Sequence, residues 1–189
     1  TSGGGGALIE GSVAVAQTAG PPPAPGTSPA QQVPGTGILL LDGVTVSGNT
    51  TPGEGGGMRI VTAINATIVD SHFDANTAAT AGGVALQSVV AAFDDTSIDD
   101  NVTTNLGGGL RLSGNSMVTM TDGTVRGNTA VGFGGGFYAQ GTAALTMDGT
   151  TVDGNEAQGP GGGAAFFENT NLTIADATFS NNESVTNSG

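Results

Sequence analysis

Four aspartates stand within seven residues, Asp94, Asp95, Asp99 and Asp100, and Asp70 and Asp74 stand 25 residues before Asp95 and Asp99. Two carboxylates flanking a bond are what glycoside hydrolysis requires, one giving a proton and the other acting as base or nucleophile. An arginine base beside acidic cation ligands would instead serve elimination on an acidic polysaccharide. The arginines are Arg59, Arg111 and Arg126, lysine is absent, and His72 is the one histidine. Aspartates also recur along the chain at Asp42, Asp70, Asp95, Asp122, Asp148 and Asp176. Stacked carboxylates repel unless a hard cation with oxygen ligands bridges them, which makes Ca2+ the cofactor to consider. The Ca2+-binding nonapeptide Gly-Gly-x-Gly-x-Asp is absent. The sequence therefore assigns no catalytic residue, no cofactor-binding residue and no metal ligand. His72 shares a column with Thr45, Ser97, Thr124, Thr151 and Thr178, a solvated Thr/Ser row rather than a catalytic setting. A single tyrosine, Tyr138, and no tryptophan leave little material for an aromatic sugar platform. We expect no enzyme.

Composition narrows the classes further. Acidic residues number 16 against 3 basic ones, for a net charge of −13. Such a surface repels phosphate backbones and anionic membranes, so nucleic-acid partners are excluded. No apolar run approaches the ~18 residues of a membrane span, and membrane insertion is not expected. The absence of cysteine removes disulfides, thiolate metal sites and thiol catalysis.

What would position any of these residues is a repeat. Asn49, Asn76, Asn101, Asn128, Asn155 and Asn182 follow one another at steps of 27, 25, 27, 27 and 27 residues. The last glycines of five glycine runs, Gly57, Gly83, Gly109, Gly136 and Gly163, step by 26, 26, 27 and 27. Three residues before the asparagines stand Val46, Phe73, Ile98, Val125, Val152 and Phe179; eight before stand Leu41, Ile68, Phe93, Met120, Met147 and Ile174. Leu39, Ala66, Ala91, Val118, Leu145 and Leu172 stand ten before. Between the last two columns run Leu40, Thr67, Ala92, Thr119, Thr146 and Thr173. Apolar, polar, apolar is the period of a strand with one buried face. A further strand follows the glycines. One unit cannot bury its apolar face alone, whereas stacked units bury a continuous core and pair each strand in parallel with its copy.

The sequence thus predicts an all-β fold over residues 1–189: a right-handed parallel β-helix of about six coils of 25–27 residues, with three short strands per coil. The handedness is that usual for coils of this length. The glycine triplets are expected at corners where φ is positive and neighbouring coils approach closely. The asparagines are expected to form an inward ladder whose amides bond one coil to the next. The first coil carries a Pro-rich insertion at about 16–37, containing GPPPAPGTSPAQQVPG; it reads as a surface loop or as a flap over the first coil's edge.

The motifs Phe73-Asp-Ala-Asn76, Phe179-Ser-Asn-Asn182 and Gly162-Gly163-Ala164-Ala165 resemble the repeats of polymorphic outer-membrane proteins and related autotransporter passengers. The resemblance covers about residues 38–189; the other coils depart from it, with Val or Ile in place of Phe. It implies an extracellular or cell-surface location and an adhesive or scaffolding role, with a host or matrix surface ligand.

The chain opens on Thr1 at a glycine corner, shows no leader, and stops at nearly the same phase of the coil. We expect either a piece of a longer solenoid or ends that stack, making homo-oligomers end to end. The expected function is an extracellular structural solenoid, either a filament subunit stacking head to tail or a surface adhesin or stalk. The alternative is a β-helix that binds or degrades polysaccharide.

Overall fold

The computed structural model describes residues 9–17, 37–61 and 64–186, and all of the described secondary structure is strand, bend and turn. The strands follow the repeat. An opening strand β1 (Ile9–Gln17) precedes β2 (Gly37–Ser47), β3 (Thr50–Glu54) and β4 (Met58–Val61), which make the first coil. The second coil holds β5 (Ile64–Val69), β6 (His72–Asp74), β7 (Thr77–Thr80) and β8 (Val84–Gln87). The third holds β9 (Val90–Asp94), β10 (Ser97–Asp99), β11 (Val102–Thr103) and β12 (Leu110–Ser113). The fourth holds β13 (Met117–Thr121), β14 (Thr124–Arg126), β15 (Thr129–Ala130) and β16 (Phe137–Ala139). The fifth holds β17 (Ala144–Asp148), β18 (Thr151–Asp153), β19 (Glu156–Ala157) and β20 (Ala164–Phe166). A sixth begins with β21 (Asn171–Ala175), β22 (Thr178–Ser180) and β23 (Glu183–Ser184). The parallel β-solenoid so formed has about five turns and three strand-bearing faces per coil.

Each strand from β2 onward pairs in parallel with its counterpart one coil along. Val118 stands between Ala91 and Leu145, and Met120 between Phe93 and Met147. Alternation decides which side chains go inside. On β13, Val118 and Met120 are buried while Met117 and Thr119 are exposed. The buried columns of the twelve-stranded and five-stranded sheets meet in one core that includes Ile68, Phe73, Phe93, Ile98, Leu110, Leu112 and Phe137. Each such side chain contributes about 1.5–3 kcal/mol through removal from water.

Corners fall at fixed phases, and each uses a left-handed residue. The first sheet bends at Gly43, Asp70, Asp95, Asp122, Gly149 and Asp176, with φ between 45° and 64°. The second corner uses Gly48, Ala75, Asp100, Gly127, Gly154 and Asn181. Each of these directly precedes a ladder asparagine, so the left-handed conformation belongs to the neighbour and not to the asparagine itself. A third corner uses Gly55, Ala81, Gly107, Gly134 and Gly161, with φ of 55–78°. These stand two residues before Gly57, Gly83, Gly109, Gly136 and Gly163, which do not have positive φ. Within each triplet the positive φ expected at the corner falls on the first residue. The reason for the last glycine is space. A Cβ on Gly57, Gly83, Gly109 or Gly136 would lie 2.5–2.9 Å from the carbonyl oxygen of the next coil's glycine. No side chain tolerates that contact with backbone.

The asparagines stack inside. The backbone N–H and one Nδ2–H of each of Asn49, Asn76, Asn101, Asn128 and Asn155 donate to the Oδ1 of the next asparagine, at 2.9–3.1 Å. From Asn76 to Asn182, the other Nδ2–H donates to the carbonyl of Val46, Phe73, Ile98, Val125 or Val152 in the coil before, at 2.8–2.9 Å. Buried turn groups that would otherwise cost free energy are thereby paired.

The two ends differ. Strand β1 departs from the parallel rule and lies antiparallel along β2, from Ile9 opposite Val46 to Gln17 opposite Gly37. A parallel coil at this point would need a return connection; an antiparallel strand does not. Most of the Pro-rich insertion lies outside the described residues. At the other end, every residue of β21 is exposed.

Candidate functional site

The acidic residues do not converge. Asp70, Asp95 and Asp100 sit at left-handed corners and Asp94 ends a strand, all exposed. Recurrence of aspartate there serves the turn, because its short polar side chain tolerates left-handed backbone. Asp42 and Asp148 stand one residue before their corners, where glycine takes the left-handed position, so the aspartate column is not in register. Among the described residues, no group of three or more His, Asp or Glu is placed to hold a metal ion.

Asp74 and Asp99 do come together, on adjacent strands β6 and β10, with Arg126 next in line on β14. They lie on the outward face. His72 Nδ1 lies 2.8 Å from Ser97 Oγ, and Ser97 Oγ lies 3.5 Å from an oxygen of Asp74. Asp99 accepts from the backbone N–H of Arg126 at 2.9 Å and from the Thr124 hydroxyl at 3.3 Å. Half-burial raises both carboxyls above the ordinary range. For Asp74 the nearby His72 and the Ser97 hydroxyl pull the other way, and for Asp99 the Arg126 N–H does so. Asp153, one coil beyond Arg126, is lowered because Ser180 and Asn181 donate to it at 2.6 and 2.8 Å. The row is a hydrogen-bonded strip along adjacent parallel strands.

The third sheet carries the other group. Arg59 and Arg111 flank Ala85 in one outward column, continued by Tyr138 and Ala165. Glu54 bridges both arginines, to Arg59 Nε at 3.0 Å and Arg111 Nη1 at 3.3 Å. Arg59 Nη2 also reaches Gln87 at 3.4 Å. The Arg111 Nε is buried with no hydrogen-bond partner among the described residues. Tyr138 donates to Gln140 at 2.8 Å, and burial pushes its hydroxyl up from the ordinary value. Its ring lies 5.5 Å from that of Phe167, which lies 5.4 Å from Phe133.

Phe133 precedes one glycine triplet and Phe167 follows the next third-sheet strand. Counting tyrosines and tryptophans missed this group. Its signal was two phenylalanines off the core columns, within a few residues of the third-sheet strands. A hollow of about 730 Å³ lies elsewhere, on the last coil, lined by Phe166, Leu172, Ile174 and Phe179 among others.

Residues 83–189 match the family described as a right handed beta helix region. The chain belongs to the right-handed β-helix family. In this β-helix the matched stretch runs from the second coil through the sixth. No curated protein matches the chain. No solved structure matches it either.

Proposed function

We propose that this β-helix is an extracellular structural solenoid, a surface stalk or adhesin-like rod, and not a catalyst. The observation that carries the reading is the unbroken Asn49–Asn182 ladder beside one continuous core. Such a body is stiff along its axis. The resemblance of its repeats to autotransporter passengers extends the reading to the cell surface. The filament form, stacking head to tail, needs a bare edge at both ends. Strand β1 lies along the edge of β2, while β3 and β4 end their sheets with no further strand among the described residues. Immunogold electron microscopy of the producing cells tests this. Label on the envelope or in shed material is expected, and label confined to the cell interior would reject it.

The aromatic trio Phe133, Tyr138 and Phe167 beside Arg111 supports a second reading, polysaccharide binding on the third sheet. Affinity electrophoresis in gels containing neutral or acidic polysaccharides would reveal it as retardation lost in Phe167→Ala.

A further inference from the structure

The chain has three arginines and no lysine, and two of the arginines meet on one carboxylate. Arg59 and Arg111 lie two coils apart in the outward column of the third sheet, with Ala85 buried between them. Neither pair is bidentate. Glu54 Oε2 accepts from Arg59 Nε at 3.0 Å and Oε1 accepts from Arg111 Nη1 at 3.3 Å, so each guanidinium fork uses one N–H on the carboxylate. Arg59 Nη2 goes to Gln87. Arg59 Nη1, Arg111 Nη2 and the buried Arg111 Nε have no partner among the described residues. The Arg111 side chain is 13% exposed, and a guanidinium so far out of water costs free energy unless its charge and its N–H groups are met. Two positive charges face one negative charge. Glu54 sits where β3 shifts register against β7, and such an irregularity re-aims a side chain. Other coils place Thr80, Leu106, Phe133 or Pro160 before the same corner, so no second carboxylate stands in that row.

We propose that Arg59 and Arg111 form a binding site for one dianionic tetrahedral oxyanion, inorganic phosphate or the phosphate monoester of a larger molecule, with Glu54 as its built-in competitor. Charge decides the class. A monoanion repeats what Glu54 already does and leaves one positive charge over, whereas a dianion neutralises both. A tetrahedral group also offers separate oxygens to two guanidiniums that arrive from different coils. Glu54 yields because an ion pair this exposed, 44 and 36% on the Arg59 side, contributes little. Its release frees Arg111 to turn Nε and Nη2 towards the incoming oxygens. The third arginine offers no such excess: Arg126 stands in register between Asp99 and Asp153. The rest of the surface limits the ligand to a single head group. A net charge of −13 repels a polyanion, while one small anion responds mainly to the pair beside it. The site borders the sheet face of the polysaccharide reading, but it rests neither on that reading nor on where the protein resides.

Titration calorimetry of the full chain with inorganic phosphate is the test, at about pH 8, where the phosphate is a dianion, and at constant ionic strength made up with chloride. A dissociation constant on the order of millimolar is expected, tightened at least about fivefold in Glu54→Gln and weakened at least about tenfold in Arg59→Gln. Arg126→Gln is expected to bind as the parent does. Glu54→Gln changes an exposed side chain and reads as a gain of binding, which a misfolded variant does not imitate. No binding by the parent or by Glu54→Gln up to about 50 mM phosphate would overturn the proposal. So would binding that Arg59→Gln leaves unchanged, or that Glu54→Gln fails to tighten. Phenyl phosphate tells the two sources apart. Tighter binding than inorganic phosphate, with the gain lost in Phe167→Ala, assigns the head group to an ester whose ring seats on the aromatic trio; equal binding assigns the free ion. None of these outcomes bears on envelope labelling or on retardation in polysaccharide gels, so failure here leaves both readings to their own tests.

Discussion

At the residue scale, the ladder asparagines and the outward aspartates carry opposite lessons. Asn101 accepts from the N–H and the Nδ2 of Asn76 and donates to the Phe73 carbonyl and to Asn128. Replacing it with alanine strands several buried polar groups, each costing about 1–3 kcal/mol. We expect Asn101→Ala to lower stability in urea titration by about 3 kcal/mol, and Asn182→Ala at the open end by about 1 kcal/mol, because water reaches the latter's neighbours. Equal losses would mean that the ladder adds little beyond side-chain volume. Asp99 behaves differently. Its folded-state pKa is raised, so its contribution is fully present below the unfolded carboxylate value and is lost as pH rises through the folded one. Asp99→Asn, which keeps an acceptor for the Arg126 N–H, should therefore raise the melting temperature at pH 7. The gain should vanish below about pH 4. Asp153 has the reverse sign: its lowered pKa gives a contribution that is lost as pH falls through the folded value.

At the element scale, the unit is a corner and the strand it feeds. Four of the five third corners use glycine, but the second coil uses Ala81, with φ of 55° and no exposure. Left-handed backbone costs a residue with a Cβ roughly 1–2 kcal/mol, less the entropy that glycine gives up. Ala81→Gly should therefore stabilise by about 0.5–1 kcal/mol in the same titration. Gly109→Ala goes the other way. The new Cβ would lie 2.9 Å from the Gly136 carbonyl oxygen and 3.0 Å from Asn128 Nδ2, so the coil spacing itself must open. We expect a loss of more than about 2 kcal/mol, larger than for Gly154→Ala, where a Cβ meets nothing within 4 Å and only backbone strain is added. If Gly154→Ala proves the worse, left-handed backbone rather than space dominates the corners. Glycines of both kinds look alike in the sequence. A triplet contains one of each, and only φ and the distance to the next coil tell them apart.

At the scale of the whole molecule, each coil rests on its neighbours, so protection is set by position along the axis. Hydrogen exchange should be slowest at β9 to β16, whose strands are paired on both sides, and fastest at β21 to β23, paired on one side. Uniform protection would mean that the rod opens only as a unit. An intermediate value at β2, despite its place on the first coil, would follow from its pairing with β1.

The sequence by itself determined the repeat, the inward columns and the parallel stacking. Those depend on local alternation and on a period of 25–27 residues, both of which are written along the chain. It also placed Arg59, Ala85 and Arg111 in one column, since register follows from period. Only the tertiary structure decided what depends on distance between coils: which glycine of a triplet is left-handed, that Glu54 bridges two arginines, and that Phe133 and Phe167 close on Tyr138. It decided the unlike ends as well. Strand β1 pairs antiparallel outside the repeat, where no periodic pattern could announce it. An edge is bare or covered according to what lies across it in space, not what lies beside it in the chain.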